Sequence, residues 1–353
     1  MKMKPVVDGL EAQDAEVTIV HTGQHYDTMM SNVFFDDINL RQPDYNLGIG
    51  SGSHSQQVAD VMSASEPLFE QLNPDFVVVA GDVNSTLACA IVAAKLGILV
   101  GHVEAGLRSR DWSMPEEINR VVTDTVSDLL FAPSDDAVQN LRSEGVHPDR
   151  IVLSGNVMID TLLCNLERAK ARPVIENLGL TPGSYGLVTL HRPSNVDDSQ
   201  VLGRLMDVLA LAAERLPLVF PVHPRTASQL VGQKLSNKII FIEPQGYLDF
   251  LALEAAAQVV FTDSGGVQEE TTALGVACLT LRENTERPIT IIEGTNQLVG
   301  NDPVRVLNAL DKVLNRKFET KRPALWDGQA GRRIAESIIK TVKAGKVRRP
   351  TDS

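Results

Sequence analysis

The stretch Val259-Val-Phe-Thr-Asp-Ser-Gly-Gly-Val-Gln-Glu-Glu270 joins an apolar, β-branched run to a glycine turn and then to a helix. A strand that enters a helix in this way is typical of the doubly wound parallel sheet of α/β proteins. The two glycines leave backbone N–H groups bare at the positive end of the helix dipole, where a phosphate can bind. The same turn without a ligand would simply connect a strand to a helix. The stretch therefore predicts an α/β fold and a candidate phosphate site.

Similar apolar runs recur along the chain and alternate with segments that carry apolar residues at helical spacing. This alternation predicts parallel sheets that helices cover on both faces. The predicted strands are residues 16–21, 76–80, 98–103, 129–132, 151–154, 186–191, 218–222, 239–242, 259–261 and 278–281. They divide into two doubly wound halves. We expect a Rossmann-like domain over residues 1–155, joined by the C-terminal helix 328–346, and a second one over residues 156–327.

Composition limits the classes of function. The chain has 353 residues, of which 43% are hydrophobic and 22% charged, and these values are typical of a globular enzyme. The formal net charge of −12 disfavours nucleic acid or an anionic membrane as the main partner. Cys89, Cys164 and Cys278 are scattered without metal-ligand spacing and are expected to be buried thiols. No run of apolar residues predicts a membrane span or a signal peptide, so we expect a cytoplasmic protein.

Two carboxylates follow neighbouring strands of the first half. Asp82 comes after the run 76–80, and Glu104 lies within Gly101-His-Val-Glu-Ala-Gly-Leu-Arg108. The carboxyl ends of parallel strands share one edge of a sheet, so both side chains are predicted to reach one acid/base site. Asp82 could instead cap the helix that follows, and Glu104 could be an ion-pair partner of Arg108.

The segment Met114-Pro-Glu-Glu-Ile-Asn-Arg120 predicts a helix with proline at its first position. Glu116 and Arg120 are four residues apart and share one face, while Ile118 and two valines are predicted to share the other. The pair either serves the site or is an ordinary surface ion pair, which contributes about 0.3–0.5 kcal/mol.

The second half offers groups that suit a diphosphate. His191 and Arg192 follow a strand, and the forked guanidinium of arginine matches phosphate oxygens. Ser264, Gly265 and Gly266 form the turn described above, and Arg287 could add a cation. Glu270, one helical turn later, could accept hydrogen bonds from ribose hydroxyls. A histidine at a strand end, such as His191 or His223, can equally be structural.

Taken together, these stretches resemble the non-hydrolysing UDP-N-acetylglucosamine 2-epimerase family. The resemblance rests on an ordered set that spans nearly the whole chain: His21-Thr-Gly-Gln-His25, Gly81-Asp82, residues 101–108 and 114–120, His191-Arg192, Pro221-Val-His223, residues 262–270, Thr285-Glu-Arg287 and Asp327-Gly-Gln-Ala330. It implies two Rossmann-like domains in a glycosyltransferase-B arrangement, with a UDP-sugar as substrate between the two lobes. It also implies a homodimer that supplies N-acetylmannosamine units for cell-surface polysaccharide.

The resemblance assigns roles to residues of this chain. Those on the catalytic or sugar-phosphate positions are Lys2, Asp82, Glu104, Glu116, Arg120 and His191. Those on the nucleotide-binding positions are Gln245, Phe250, Ser264, Gly265, Gly266, Glu270 and Arg287. The reaction that the family is held to use expels UDP while a base removes the proton of carbon 2, and UDP then adds back to the glycal. This scheme needs neither a metal nor another cofactor.

Carbon 2 is not next to a carbonyl, so its proton is not acidic, and oxidation of a neighbouring carbon by NAD is the competing solution. Short-chain epimerases that use it carry a Tyr-x-x-x-Lys pair. None of Tyr26, Tyr45, Tyr185 and Tyr247 has a lysine four residues later, so the sequence does not support that route.

The amino end departs from the family pattern. Residues 1–10 read as a helix, whereas family members open with a strand and a Gly-Thr-Arg-Pro-like turn before the Lys-Met that is Lys2-Met3 here. We expect the first strand of the N-terminal domain to be missing. We also expect residues 1–353 alone to be poorly stable and weakly active, because a central strand and a phosphate-side arginine are absent.

Three other functions stay open at this point. An epimerase of UDP-2,3-diacetamido sugars would use the same mechanism with different contacts around carbon 3. A glycosyltransferase of similar architecture would move the sugar to an acceptor. An inactive UDP-sugar-binding protein would bind UDP without exchanging the proton of carbon 2.

Overall fold

The apolar β-branched runs form parallel strands, as the sequence predicts. The computed structural model describes residues 1–23, 37–222, 224–230, 236–315 and 321–345. The strands of this part are β1 (Val20–His21), β2 (Tyr45–Asn46), β3 (Phe76–Ala80), β4 (Leu99–Val103), β5 (Leu129–Ala132), β6 (Ile151–Leu153), β7 (Gly186–Thr189), β8 (Leu218–Pro221), β9 (Ile239–Ile242), β10 (Val259–Thr262), β11 (Ala277–Thr280) and β12 (Asn296–Leu298).

The helices lie between the strands. They are α1 (Lys4–Glu11), α2 (His54–Leu72), α3 (Asn84–Lys95), α4 (Pro115–Val126), α5 (Asp135–Ser143), α6 (Val157–Lys170), α7 (Val174–Asn177), α8 (Pro193–Val196), α9 (Ser199–Ala213), α10 (Pro224–Leu230), α11 (Tyr247–Ala255), α12 (Gly265–Leu274), α13 (Ile289–Ile292), α14 (Pro303–Asn315) and α15 (Ala330–Lys343).

The chain divides into two units, which are Met1–Thr161 with Ala324–Ser353 and Leu162–Pro323. We call them unit 1 and unit 2. The α/β class with two Rossmann-like halves is confirmed, because both units contain parallel sheets with intervening helices. The predicted domain bounds, at residues 155 and 327, remain a proposal about separate folding units.

Unit 2 contains a six-stranded sheet in the order β12-β11-β10-β7-β8-β9. Counted within the unit, this is the order 3-2-1-4-5-6 of a doubly wound dinucleotide-binding sheet. The strand order reverses between β7 and β10, and ligands of open α/β sheets bind at the carboxyl ends of the strands at such a point. His191 follows β7, and Ser264 follows β10. The fold therefore places two predicted site residues at the expected end of the sheet.

Unit 1 contains a four-stranded sheet in the order β3-β4-β5-β6 and a separate pair, β1 and β2. The register pairs Ala80 with Val103, so β3 and β4 end side by side. In the described residues, β3 is paired on one side only. β4 and β5 are buried along their whole length, whereas β3 is mostly half-buried.

The first and last helices of the chain pack together in unit 1. Val6 and Leu10 of α1 share a core with Ile334 and Ile338 of α15. The helices cross closely, because a Cβ at Gly331 would lie 2.3 Å from the backbone oxygen of Pro5. The start of α15 is fixed by Asp160, which accepts hydrogen bonds from the backbone N–H groups of residues 330 and 331.

Several details differ from the prediction. Residues 16–19 are not in a strand, and the short strands β2 and β12 were not predicted because neither has an apolar run. Cys89 and Cys278 are buried as expected, but Cys164 is exposed, so the expectation of a buried thiol is wrong there. The helical reading of residues 1–10 is confirmed by α1.

Candidate functional site

The ends of β3 and β4 bring two predicted carboxylates together in unit 1. Gly81 and Asp82 follow β3, and Glu104 follows β4, its neighbour in the sheet. Gly81 and Glu104 both have positive φ angles, 74° and 70°. For a glutamate this conformation costs about 1–2 kcal/mol, and unusual backbone geometry of this kind concentrates at functional sites.

Lys2 pairs with Glu104 across this edge. Its Nζ donates to Oε2 of Glu104 at 2.6 Å, and the Glu104 side chain is only 3% exposed. The other oxygen, Oε1, is buried and has no hydrogen-bond partner among the residues that the structure describes. Lys2 lies over Gly81, since a Cβ at that position would be 2.7 Å from Nζ. Glu104 therefore combines one charge-paired oxygen with one unpaired oxygen.

Asp82 is held by Arg120 from helix α4. The guanidinium of Arg120 donates to Oδ2 of Asp82 and, at 2.7 Å, to Oε2 of Glu117. Asn119 donates to the backbone oxygen of Asp82 at 2.9 Å. The N-cap residue of α3 is Val83, whose side chain makes no capping bond. The carboxylate of Asp82 is oriented by the buried guanidinium of Arg120.

Helix α4 is oriented differently from the prediction. Its buried residues are Glu117, Asn119, Arg120, Thr123 and Asp124, while Ile118 is 44% exposed. Arg120 bonds to Glu117 and Asp82 rather than to Glu116, so the predicted surface pair of Glu116 and Arg120 is wrong. Glu116 is half-buried in the first turn, and none of the described residues forms a hydrogen bond or ion pair with its carboxylate.

Glu117 fixes the loop before α4. It accepts hydrogen bonds from the backbone N–H groups of Ser109 and Arg110, each at 2.9 Å, and from Arg120. Burial favours the neutral acid, but these donors outweigh it and hold the pKa of Glu117 below its ordinary value. This role could not be predicted from the sequence, because a glutamate in the first helical turn is typical of a favourable dipole partner on the surface.

A second group that the sequence did not predict is the buried pair of His102 and Asp124, next to the turn that carries Asp82. His102 is fully buried in β4, with Nδ1 at 2.6 Å from Asp124 and Nε2 at 2.8 Å from the backbone oxygen of Gly81. Because both ring nitrogens face acceptors, hydrogen bonding through both requires a proton on each. Burial favours the neutral form of Asp124, but His102 and Arg108 outweigh it and lower its pKa. This pair fixes the turn that carries Asp82.

In unit 2, Asp263 organises the turn that follows β7. Its carboxylate accepts hydrogen bonds from the backbone N–H groups of His191 and Arg192 and from the side chain of Asn195. Nδ1 of His191 lies 3.0 Å from the same carboxylate, while the side chain is 56% exposed. Burial would raise the pKa of Asp263, but His191 and Asn195 keep it low. His191 is thus anchored through Nδ1 and exposed elsewhere on the ring.

The glycine turn opens α12 as predicted. Gly265 and Gly266 are its first two residues, and Ser264 is the N-cap without a side-chain capping bond. A Cβ at Gly265 would lie 2.3 Å from Nη1 of Arg287, so the guanidinium lies directly against the turn. Ser264 and Gly266 are half-buried rather than sealed. The turn combines bare N–H groups, a hydroxyl and a cation, which suits an anion.

Three arginines surround Glu286 next to this turn. Nitrogens of Arg192, Arg282 and Arg287 lie 3.2, 2.9 and 2.6 Å from its carboxylate oxygens. Burial favours the neutral acid, but the three cations outweigh it and hold the pKa of Glu286 far below its ordinary value. Three cations against one carboxylate leave an excess of positive charge, although Arg287 also pairs with Glu269 at 2.9 Å.

The remaining predicted nucleotide-binding residues lie on α11 and α12 or just before them. Glu270 is buried, and the hydroxyl of Tyr247 donates to its Oε1 at 3.4 Å. Phe250 is half-buried in α11. Gln245 lines a cavity of about 270 Å³ whose wall also includes Arg172, Ile242 and Asp249. Arg172 and Asp249 form an ion pair there.

The structure groups the predicted residues by unit. In unit 1, Lys2 pairs with Glu104 and Arg120 pairs with Asp82 at the adjacent ends of β4 and β3, and Glu116 is one residue from Glu117. In unit 2, Arg287 lies against Gly265, and Arg192 shares Glu286 with Arg287. Gln24, His25 and His223, which contribute to the family resemblance, lie outside the described residues.

None of the helices in the described part of the chain is both long and apolar enough for a membrane span. Within the same residues, no group of three or more His, Cys, Asp or Glu side chains is arranged to hold a metal ion.

Comparison with known proteins gives concordant results. A model of the UDP-N-acetylglucosamine 2-epimerase family matches residues 9–339. UDP-N-acetylglucosamine 2-epimerase of Methanococcus maripaludis is 42% identical over 96% of this chain and 95% of that protein. UDP-2,3-diacetamido-2,3-dideoxy-D-glucuronate 2-epimerase of Pseudomonas aeruginosa is 38% identical over 94% of this chain and 93% of that protein. The crystal structure of Methanocaldococcus jannaschii UDP-GlcNAc 2-epimerase in complex with UDP-GlcNAc and UDP aligns with a TM-score of 0.89, at 42% identity and over 96% of each chain.

Proposed function

The chain belongs to the UDP-N-acetylglucosamine 2-epimerase family, and from this premise we propose that it interconverts UDP-N-acetylglucosamine and UDP-N-acetylmannosamine. The observation that carries the proposal is the paired arrangement at the ends of β3 and β4. Lys2 holds one oxygen of Glu104, Arg120 holds Asp82, and Oε1 of Glu104 has no hydrogen-bond partner among the described residues. Oriented carboxylates with an unpaired oxygen suit proton transfer.

The proposed reaction begins with loss of UDP. The bond between carbon 1 and the diphosphate oxygen breaks while a base removes the proton of carbon 2, which leaves a glycal and UDP. UDP then adds back to carbon 1, and carbon 2 receives a proton on the opposite face. Atoms and electrons balance, because the electron pair of the broken C–H bond forms the double bond as UDP takes the pair of the C–O bond.

Residues of unit 1 are proposed to handle the proton. Asp82, Glu104 and Glu116 supply the carboxylates, and that of Glu116 has no partner among the described residues. General acid/base catalysis by positioned side chains typically contributes 10²–10⁴-fold to the rate. Lys2 and Arg120 orient their carboxylate partners.

Residues of unit 2 are proposed to hold the departing diphosphate. The N-terminus of α12, with Ser264, Gly265 and Gly266, offers N–H donors, and Arg287 adds positive charge. His191, anchored on Asp263 through Nδ1, can donate from its exposed nitrogen when the ring carries both protons. Donors fixed before the reaction stabilise charge that develops on the leaving group. Gln245, Phe250 and Glu270 are proposed to bind the nucleoside.

The test is proton NMR of UDP-N-acetylglucosamine with the protein in deuterated water. The proposal predicts the manno isomer without any acceptor and deuterium at carbon 2. A glycosyltransferase would need an acceptor, and an inactive UDP-sugar-binding protein would leave the carbon 2 proton in place.

A second substrate deserves the same assay, because a relative at 38% identity is named for UDP-2,3-diacetamido-2,3-dideoxy-D-glucuronate. Turnover of that sugar with no turnover of UDP-N-acetylglucosamine would select this alternative.

The family resemblance also supports a homodimer, a cytoplasmic location and a role in supplying polysaccharide precursors. Light scattering of the purified protein tests the dimer.

A further inference from the structure

Glu254 is a buried acid that the proposed reaction does not use. It lies near the end of α11, it is fully buried, and neither carboxylate oxygen has a hydrogen-bond donor among the described residues. Its carboxyl group lies beside that of Glu270 on α12. An ionised carboxylate buried without donors is strongly unfavourable, so the group must carry a proton.

The groups that perturb the pKa values of the two acids are burial, carboxylates and a hydroxyl of the described residues. Tyr247 of α11 donates to Glu270, and burial raises the pKa of that tyrosine far above its ordinary value. Cys278 of β11 lies close enough to Glu254 to be affected by it, and burial raises its pKa to about 12. Cys164 of α6 lies near Tyr247. Glu269 adds negative charge, and its own partner is Arg287.

We propose that Glu254 is a positioning residue that keeps a proton and donates it in a hydrogen bond to Glu270, so that Glu270 is the acid of the pair that ionises and accepts hydrogen bonds from the 2′ and 3′ hydroxyls of a ribose. Two adjacent carboxylates in a site of low dielectric share a proton, because both cannot ionise. Glu254 keeps the shared proton, because it is the more deeply buried of the two acids and, among the described residues, has no donor of the kind that Tyr247 offers to Glu270. The inference rests on the proposed function in one respect, namely that the ligand carries a ribose.

The arrangement has a pH dependence with a definite sign. Burial and the adjacent Glu269 raise the pKa of Glu270 to about 8, although Tyr247 and Glu254 oppose this. Ribose hydroxyls donate to the ionised form, so binding releases a proton from Glu270 below that pH. Ribose affinity therefore increases with pH up to about 8 and is constant above it.

The experiment uses uridine, which has no phosphate that titrates, and 2′,3′-dideoxyuridine as the matched control. Ligand-observed NMR titrations of the full chain between about pH 6 and about pH 8.5 give both affinities. We expect uridine affinity to increase, approaching tenfold per pH unit well below the pKa. Affinity for the dideoxy compound stays flat, because it lacks the hydroxyls. Any contribution of His191 or of the base affects both ligands equally.

Two variants isolate Glu254. Glu254→Leu removes the donor and raises the pKa of Glu270 further, so uridine affinity at about pH 7.5 falls roughly tenfold, while dideoxyuridine affinity is unchanged. Glu254→Gln keeps an N–H donor towards Glu270 and holds uridine affinity within about threefold. Circular dichroism melting shows that each variant is folded. The wild-type pH profiles need no variant at all.

The inference is overturned if uridine affinity is independent of pH, or if Glu254→Leu weakens both ligands equally. Either result leaves the proposed function intact when the wild-type protein still binds UDP and exchanges the carbon 2 proton. Failure of the wild type to bind UDP contradicts the proposed function instead.

Discussion

Single residues decide how the two carboxylates of unit 1 are held. Asp82 is oriented by Arg120, which Glu117 fixes in turn, and Glu104 is oriented by Lys2. Each cation faces a different acid, so each acid can be perturbed separately. The pairings of Lys2 with Glu104 and of Arg120 with Asp82 do not follow from spacing alone, because the partners are 102 and 38 residues apart.

Replacing Asp82 tests its proposed chemical role. Asp82→Asn keeps the shape of the side chain but removes the charge and the proton-accepting oxygen. We expect turnover of UDP-N-acetylglucosamine to fall by about 100-fold or more, with little change in UDP affinity measured by calorimetry. Asp149→Asn, at a side chain that is 84% exposed, is the matched control and should be silent. Retention of turnover within tenfold would remove Asp82 from the proposed mechanism.

Gly81 provides a test of the Lys2 contact. In Gly81→Ala the new Cβ would lie 2.7 Å from Nζ of Lys2, so the ammonium must leave its position beside Glu104. We expect turnover to fall at least tenfold, and the positive φ of 74° adds a stability cost of about 1–2 kcal/mol.

Gly97→Ala is the control for that strain. Gly97 has a φ of 77°, and a Cβ there has no neighbour within 4 Å. Both variants should lose similar stability in urea unfolding, and only Gly81→Ala should lose activity. Equal loss of activity in both variants would show that backbone strain, and not displacement of Lys2, causes the effect.

At the scale of elements, the N-terminus of α12 is the feature that the sequence predicts best. Two consecutive glycines after an apolar strand can be recognised from the sequence, because the turn that they form depends mainly on neighbouring residues. The position of Arg287 beside that turn is a tertiary contact that no spacing predicts.

Gly265 tests whether α12 binds the diphosphate. In Gly265→Ala the Cβ would lie 2.3 Å from Nη1 of Arg287 and 2.7 Å from Oε1 of Glu286, so the cation must shift. We expect UDP affinity to fall about tenfold or more in calorimetry, because a charge-assisted contact is lost.

The control for this variant lies in the same unit. Gly203→Ala, inside α9, meets no atom within 4 Å and should stabilise the protein by about 0.5–1 kcal/mol with unchanged UDP affinity. Unchanged UDP affinity in Gly265→Ala would exclude α12 as the diphosphate site.

Helix α4 shows where element-level prediction fails. Its apolar residues suggested one buried face, yet the buried face carries Glu117, Arg120 and Asp124. Hydrophobic periodicity assumes that charges face water. Here every buried charge has an ion-pair partner, and burial of such charges reverses the usual pattern.

At the scale of the whole molecule, several buried carboxylates determine acid stability. The pKa values of Glu117, Asp124 and Glu286 lie below their ordinary range in the folded protein. Each therefore stabilises the fold above the unfolded pKa of about 4 and loses that contribution as pH falls towards the folded value. We expect the free energy of unfolding in urea to decrease below about pH 5.

One substitution makes that prediction specific. Glu117→Gln should make the free energy of unfolding depend less on pH in the acid range. Fluorescence of the buried Trp326, which is in unit 1 together with Glu117, reports the unfolding transition. Glu167→Gln, at a side chain that is 82% exposed, is the control. The same acid slope in Glu117→Gln and the wild type would contradict the assignment.

The sequence predicted much of the whole fold and less of the site. Apolar runs predicted most of the strands of the four-stranded and six-stranded sheets, because burial of β-branched residues is a local pattern. Short strands such as Asn296–Leu298 carry no such pattern. Site residues at strand ends were predictable from the direction of parallel strands. His102 and Asp263, which make hydrogen bonds that fix the turns carrying site residues, were not predictable. Their role depends on contacts between elements that are distant in the sequence.

The most direct test of the proposed reaction is proton NMR of UDP-N-acetylglucosamine with the full chain in deuterated water. The proposed reaction predicts that UDP-N-acetylmannosamine appears without an acceptor and that carbon 2 of both sugars acquires deuterium. Binding of UDP with no manno isomer and an unexchanged carbon 2 proton would contradict it.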